Sequence, residues 1–146
     1  MHAARATASE RRDARKMTAM TTRAQIIAEM DAIEAVARRL AAVASRQDAS
    51  RKQDLVAARR ELAMRMMTVM TIGQDYAPIR QNDALYAELR QRLSVLRAAI
   101  AAHQAQWSAV AIDSDDAAYI ESSASVQAEG RAFMGWVRQI VEASPE

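Results

Sequence analysis

Cysteine is absent from the 146 residues, which removes disulfide frameworks, thiolate nucleophiles, iron–sulfur clusters and thiolate zinc sites. Glycine and proline are nearly absent too, at three and two. Sheets and barrels need Gly, Pro, Asn and Asp at their corners, so this scarcity argues against an all-β fold and for helices. Aromatic residues are only 4% of the chain, whereas apolar residues reach 51%, much of it alanine. No apolar run approaches the roughly 20 residues of a membrane-spanning helix. The charged N-terminus lacks a following apolar segment, so no secretory signal is expected and the default location is cytoplasmic.

Charge of one sign is also lacking over most of the chain. Arg5, Arg11, Arg12, Arg15 and Lys16 face only Glu10 and Asp13 within residues 1–17, a net +3, so the overall +2 leaves −1 for the rest. Nucleic-acid binders concentrate basic residues on a face that follows phosphates. With no such face in the remainder, nucleic acid is not an expected partner. Residues 1–20, rich in Ala, Arg, Thr and Ser without an apolar period, are expected to be a disordered basic tail.

What the chain does have is helical periodicity. From Asp83 to Ile112, Leu85, Leu89, Leu93, Leu96, Ile100, His103, Trp107 and Val110 recur at steps of three and four, the stripe of one long amphipathic helix. Ile26, Met30, Ile33, Ala37 and Leu40 mark another helix, opened by a box-like Thr22-x-x-Gln25. A third begins at Ser50 and carries Leu55, Leu62 and Val69, with Met64, Met66, Met67 and Met70 making its second half sulfur-rich. Gly73 is expected to end or loosen it and Ala77-Pro78 to break it, with Tyr76 and Ile79 as anchors of the polar connection from 74 to 82. The last helix places Tyr119, Ser123, Val126, Gly130, Phe133, Val137 and Ile140 on one face, and Trp136 off it, at a boundary or on a contact surface. The expected fold is an all-α, up-down-up-down four-helix bundle over 21–143, with helices at 22–45, 50–73, 83–112 and 115–142.

Recognisable catalytic constellations are missing. The chain has no Gly-rich phosphate loop, no His-Glu-x-x-His pair, no nucleophile elbow and no EF-hand loop. It has two histidines, His2 in the tail and His103 on the apolar stripe. Glu61, Glu88, Glu121 and Glu129 read as solvent-facing. A non-enzymatic protein is expected, with no metal and no cofactor.

Several fragments resemble a known family. Ile-Ala-Glu-Met-Asp-Ala-Ile-Glu (27–34), Ala58-Arg59-Arg60-Glu61-Leu62 with Tyr76-Ala77-Pro78, His103-Gln-Ala-Gln-Trp107 with Ile112, Asp116 and Tyr119, and Val137-Arg138-Gln139-Ile140 are similar to the four helices of hemerythrin-like, cation-binding domains. Those domains hold two irons with about five histidines and bridging carboxylates. Here Met30 stands where the first helix carries a ligand, Thr68, Val69 and Met70 occupy the second helix's position, and the last helix has no histidine. Only His103 matches. The resemblance therefore implies a degenerate member that keeps the scaffold without the metal.

Function is accordingly expected to be binding of a protein or a small ligand, in signalling or stress response, with self-association through a helix face as an option. The candidate pocket or interaction residues are His103, Trp107, Met30, Met66, Met70, Tyr119, Ser123 and Gln127, where a ligand would occupy the space iron fills in the family. An export chaperone that cradles a partner helix and a residual metal- or oxygen-sensing protein are the alternatives.

Overall fold

The structure, a computed structural model, describes residues 7–144, without the side chains of 13–22. Its described part is all helical, with no strand. Four long helices dominate: α1 (Ala8–Ala44), α2 (Arg51–Asp75), α4 (Asp83–Gln106) and α5 (Asp116–Ala143). A short α3 (Ala77–Arg80) joins α2 to α4, and a 3₁₀ turn (Ala111–Asp113) precedes α5. None of these helices is long and apolar enough to cross a membrane.

Helix α1 corrects the expected start at Thr22 and, over residues 8–20, the expected disorder. It begins fourteen residues earlier, at Ala8, where Thr7 and Glu10 form a reciprocal capping box: Thr7 Oγ1 accepts from Glu10 N at 3.2 Å and Glu10 Oε2 accepts from Thr7 N at 2.6 Å. Nothing between Ala8 and Ala44 is glycine or proline, so no residue there breaks the ladder. Residues 1–6 of the expected tail lie outside the described part.

Arginines organise the end of α1. Arg51, only 2% exposed, donates Nε and Nη2 to the terminal carbonyls of Val43 and Ala44 at 3.3 and 3.1 Å. Its Nη1 reaches Asp113 and Asp116, both at 3.2 Å, and the guanidinium lies 5.5 Å from the centre of the Tyr119 ring. A cation placed against the negative end of α1 thus also fixes the start of α5. Ser50 precedes α2 but gives no side-chain cap. Its hydroxyl donates to Asp48 and accepts from Arg46, which also pairs with Asp48 and Asp54.

Two further boundaries differ from expectation. Gly73 does not end α2, which runs on to Asp75; its lack of a Cβ matters because one there would lie 3.3 Å from Leu89 Cδ2. The chain bends instead at extended Tyr76, and Pro78 is accommodated in the first turn of α3. Tyr76 and Ile79 are both buried. Helix α4 stops at Gln106 rather than Ile112, because Trp107 leaves helical geometry (φ −114°, ψ 65°) as it turns into the core. Val110, expected on the buried stripe, is 84% exposed.

Packing joins α1 to α2 through Arg39–Glu61 and Glu29–Arg65, and to α5 through Arg138 with Asp31 and Glu34. Helix α4 meets α5 through His103–Ser122 and through Arg92 over the Trp136 ring at 4.8 Å. Trp136 is half-buried, at the boundary expected of it. The buried side chains form two clusters. The larger one gathers Ile26, Met30, Ile33, Val69, Tyr76, Ile79, Leu89, Leu93, Leu96, Phe133, Met134, Val137 and Val141. A smaller one, Val43, Ala44, Leu55, Trp107, Ile112 and Tyr119, closes the end held by Arg51.

Candidate functional site

Between these two clusters the four long helices leave a cavity of about 520 Å³. Small side chains account for part of the space: Ala37 and Ala41 line it from α1, Ser123 and Gly130 from α5, and a Cβ on Gly130 would meet nothing within 4 Å. Leu62, Met66, Val69, Leu93, Leu96, Ile100, Phe133 and Met134 supply an apolar wall. The exposed members of the lining, Arg38 and Ala41 of α1 and Arg131 and Gly135 of α5, share one seam, so the cavity reaches solvent between those helices. Gln127 spans the seam, donating Nε2 to the Ala37 carbonyl at 3.1 Å.

Polar groups collect towards the smaller cluster. His103 Nδ1 lies 2.7 Å from Ser122 Oγ, and its ring stacks on Tyr119 with centroids 5.9 Å apart and planes at 15°. Arg59 lines the same region from α2. Its Nη2 is enclosed and has no hydrogen-bond partner. Burial pushes the Arg59 guanidinium below the ordinary arginine range, an effect the Tyr119 phenol partly offsets. Burial, and then the charge of Arg59, likewise pull His103 below 6.5, so its imidazole is neutral at pH 7. Burial raises Tyr119 against the opposing pull of Arg59 and Arg51. The result is a half-buried arginine without a carboxylate partner among the described residues, set against apolar walls beside a neutral imidazole and a protonated phenol.

Five of the eight expected site residues meet at this cavity: Met66, His103, Tyr119, Ser123 and Gln127. The other three do not line it. Met30 is fully buried in the larger cluster, Trp107 packs in the smaller one with Nε1 unpartnered, and Met70 lies beside Arg97, whose Nη1 is 3.7 Å from its sulfur. Arg59 is the residue that sequence reasoning passed over. The signal was present, because Leu55, Arg59, Leu62 and Met66 follow steps of four, three and four. A charge on an apolar stripe is the anomaly that marks a site.

Nothing in the cavity wall suits the paired irons implied by the family resemblance. It offers one imidazole, His103, and one carboxylate, Glu34, which Arg138 already holds at 3.0 Å. Among the described residues, no three His, Cys, Asp or Glu side chains are gathered where they could share an ion. Compared with protein-family models, curated proteins and solved structures, the chain finds no match in any of the three.

Proposed function

We propose that this chain is a non-enzymatic, up-down-up-down four-helix bundle that binds a small molecule in the cavity between its two core clusters. The carrying observation is the cavity itself. Its volume, about 520 Å³, lies within the roughly 300–1,000 Å³ of small-molecule sites, and an apolar wall with few polar groups is their usual chemistry. The topology is supported by the order of the pairings. Partners rise in number on one helix as they fall on the next: Glu29 with Arg65 and Arg39 with Glu61, His103 with Ser122 and Arg92 with Trp136. On this reading the likeness to hemerythrin-like domains is one of scaffold, with an organic ligand where the family holds iron.

An uncharged, environment-sensitive fluorophore, N-phenyl-1-naphthylamine, tests the reading. The protein should bind it at one site, with the blue shift of an apolar environment. Gly130→Phe, which projects a ring into the open space, should weaken that binding by at least about tenfold, an order set by filling the site. Saturable binding that Gly130→Phe leaves unchanged would place the dye elsewhere and end the proposal.

A second reading, a protein-binding surface, is favoured by Met64 and Met67. They stand 64% and 68% exposed on α2, and exposed methionines adapt readily to a partner's surface. Concentration-dependent mass by light scattering, abolished in a Met64→Lys, Met67→Lys double variant, would establish that face as a self-association surface.

A further inference from the structure

We propose that the ligand of this cavity is an amphipathic monocarboxylate, its carboxylate held by Arg59 and its single apolar tail lying against Met66, Val69, Phe133 and Met134. The inference rests on the small-molecule reading of the cavity and adds the chemical class of what enters it.

Among the described residues no carboxylate pairs with Arg59, and Glu34, the acidic residue on the cavity wall, is engaged by Arg138. An enclosed Nη2 without an acceptor is an unmet donor on a charged group, and such groups are strongly unfavourable in apolar surroundings unless paired. Arg51 shows how this chain treats a structural arginine: two backbone carbonyls and two carboxylates surround it. Arg59 receives none of these; among the described residues its guanidinium donates to the Tyr119 phenol and leaves Nη2 without an acceptor. A carboxylate entering from the cavity would supply the missing acceptors in the two-oxygen geometry that matches a guanidinium.

The neighbouring groups narrow the class. His103 is neutral and Tyr119 protonated, and Arg51 beside Tyr119 is met by Asp113 and Asp116, so the positive charge left uncompensated at the inner end of the cavity is that of Arg59. That matches one negative charge; a dianionic phosphate would bring a second with no partner. A cation would meet Arg59 itself. Beyond the headgroup the wall is hydrocarbon and sulfur, which suits an aliphatic chain or a ring. Arg38 and Arg131 are exposed at the mouth and form no ion pair among the described residues, so the entrance also favours anions.

Displacement of N-phenyl-1-naphthylamine by three ten-carbon competitors tests the inference: decanoate, 1-decanol and decyl phosphate, each below its micelle concentration. Decanoate should displace the dye at least about tenfold more tightly than decanol, the order expected of a charge-assisted bond. It should also exceed decyl phosphate. Arg59→Met should remove the gap by weakening decanoate and leaving decanol unchanged, while Arg59→Lys should retain part of it. Thermal melts of both variants report whether each is folded; the Lys variant keeps the charge should Met prove unsound.

If the dye binds but decanoate and decanol compete equally, or the gap survives in Arg59→Met, the headgroup assignment is wrong and the cavity reading stands. Tighter binding of decyl phosphate overturns the carboxylate class in favour of phosphate. If the wild-type protein does not bind the dye, the cavity reading falls and this inference with it.

Discussion

Arg51 and Arg59 sit eight residues apart on one helix and illustrate opposite uses of an interior guanidinium, fully buried in Arg51 and half-buried in Arg59. Every described bond of Arg51 ends on a protein acceptor, so its removal should be felt as instability. Arg51→Met leaves the Val43 and Ala44 carbonyls without their cap and unties Asp113 and Asp116 from α2. The loss should be about 2–4 kcal/mol, as for charged hydrogen bonds within a protein, read as a lower urea midpoint with an unchanged slope. His103 offers a second test at this scale. Its pKa lies below 6.5 through burial first and Arg59 second. Between the folded value and 6.5 the unfolded chain therefore binds more protons than the folded one. Stability associated with His103 is complete above pH 6.5 and is lost as pH falls through the folded pKa. An NMR titration of the His103 ring should show the depressed value directly. Arg59→Met should raise it part of the way back, since burial remains. A ring that titrates at or above 6.5 in the wild-type protein contradicts this account. This pairing of roles was not legible in advance, because both arginines look alike in a helical stripe until their partners are known.

Among the helices, what could be read in advance was periodicity, and what could not was termination. The apolar faces of α4 and α5 are where the steps of three and four put them, with Leu89, Leu93, Leu96, Tyr119, Phe133 and Val137 all buried. Ends depend on single contacts that periodicity does not register. Thr7 and Glu10 have the same capping spacing that was assigned to Thr22 and Gln25, and the upstream pair marks the actual start. Trp107 fits the stripe of α4 yet leaves the helix, since packing with Tyr119 and Ile112 outweighs one more turn. Gly73 looked like a terminator and is instead a point of close approach to α4. That distinction predicts different outcomes for two alanine substitutions. Gly130→Ala should stabilise the protein by about 0.5–1 kcal/mol, the helix-propensity gain, because the new methyl meets nothing. Gly73→Ala has the same propensity gain, but its methyl would press on buried Leu89 Cδ2 at 3.3 Å. The crowding should cancel the gain, leaving a change near zero or a net loss. Paired urea titrations decide the matter; equal gains at both sites would mean that Leu89 moves freely.

At the level of the whole molecule, the composition made an all-helical fold legible, and the cavity was not legible at all. A cavity is a difference between the volumes of facing side chains, and it arises here because Ala37 and Ala41 of α1 face Ser123 and Gly130 of α5, two stretches far apart in sequence. The arrangement of those stretches can be tested without the ligand. Gln47, in the turn after α1, bonds Asp116 at the start of α5, so these two turns share one end of the bundle. At the other end Arg23 donates to the Ser144 carbonyl, and Leu85 lies beside Ala143 and Ser144. Because the chain has no cysteine, spin labels can be attached in chosen pairs. Labels at Gln47 and Ala117, or at Gln81 and Ala143, should give short distances. Labels at Gln47 and Gln81 should be separated by about the length of α2, whose 25 residues span roughly 37 Å. A short distance between Gln47 and Gln81 would bring opposite ends of α2 together. It would rule out the up-down-up-down order, and with it the four facing walls on which the proposed binding site depends.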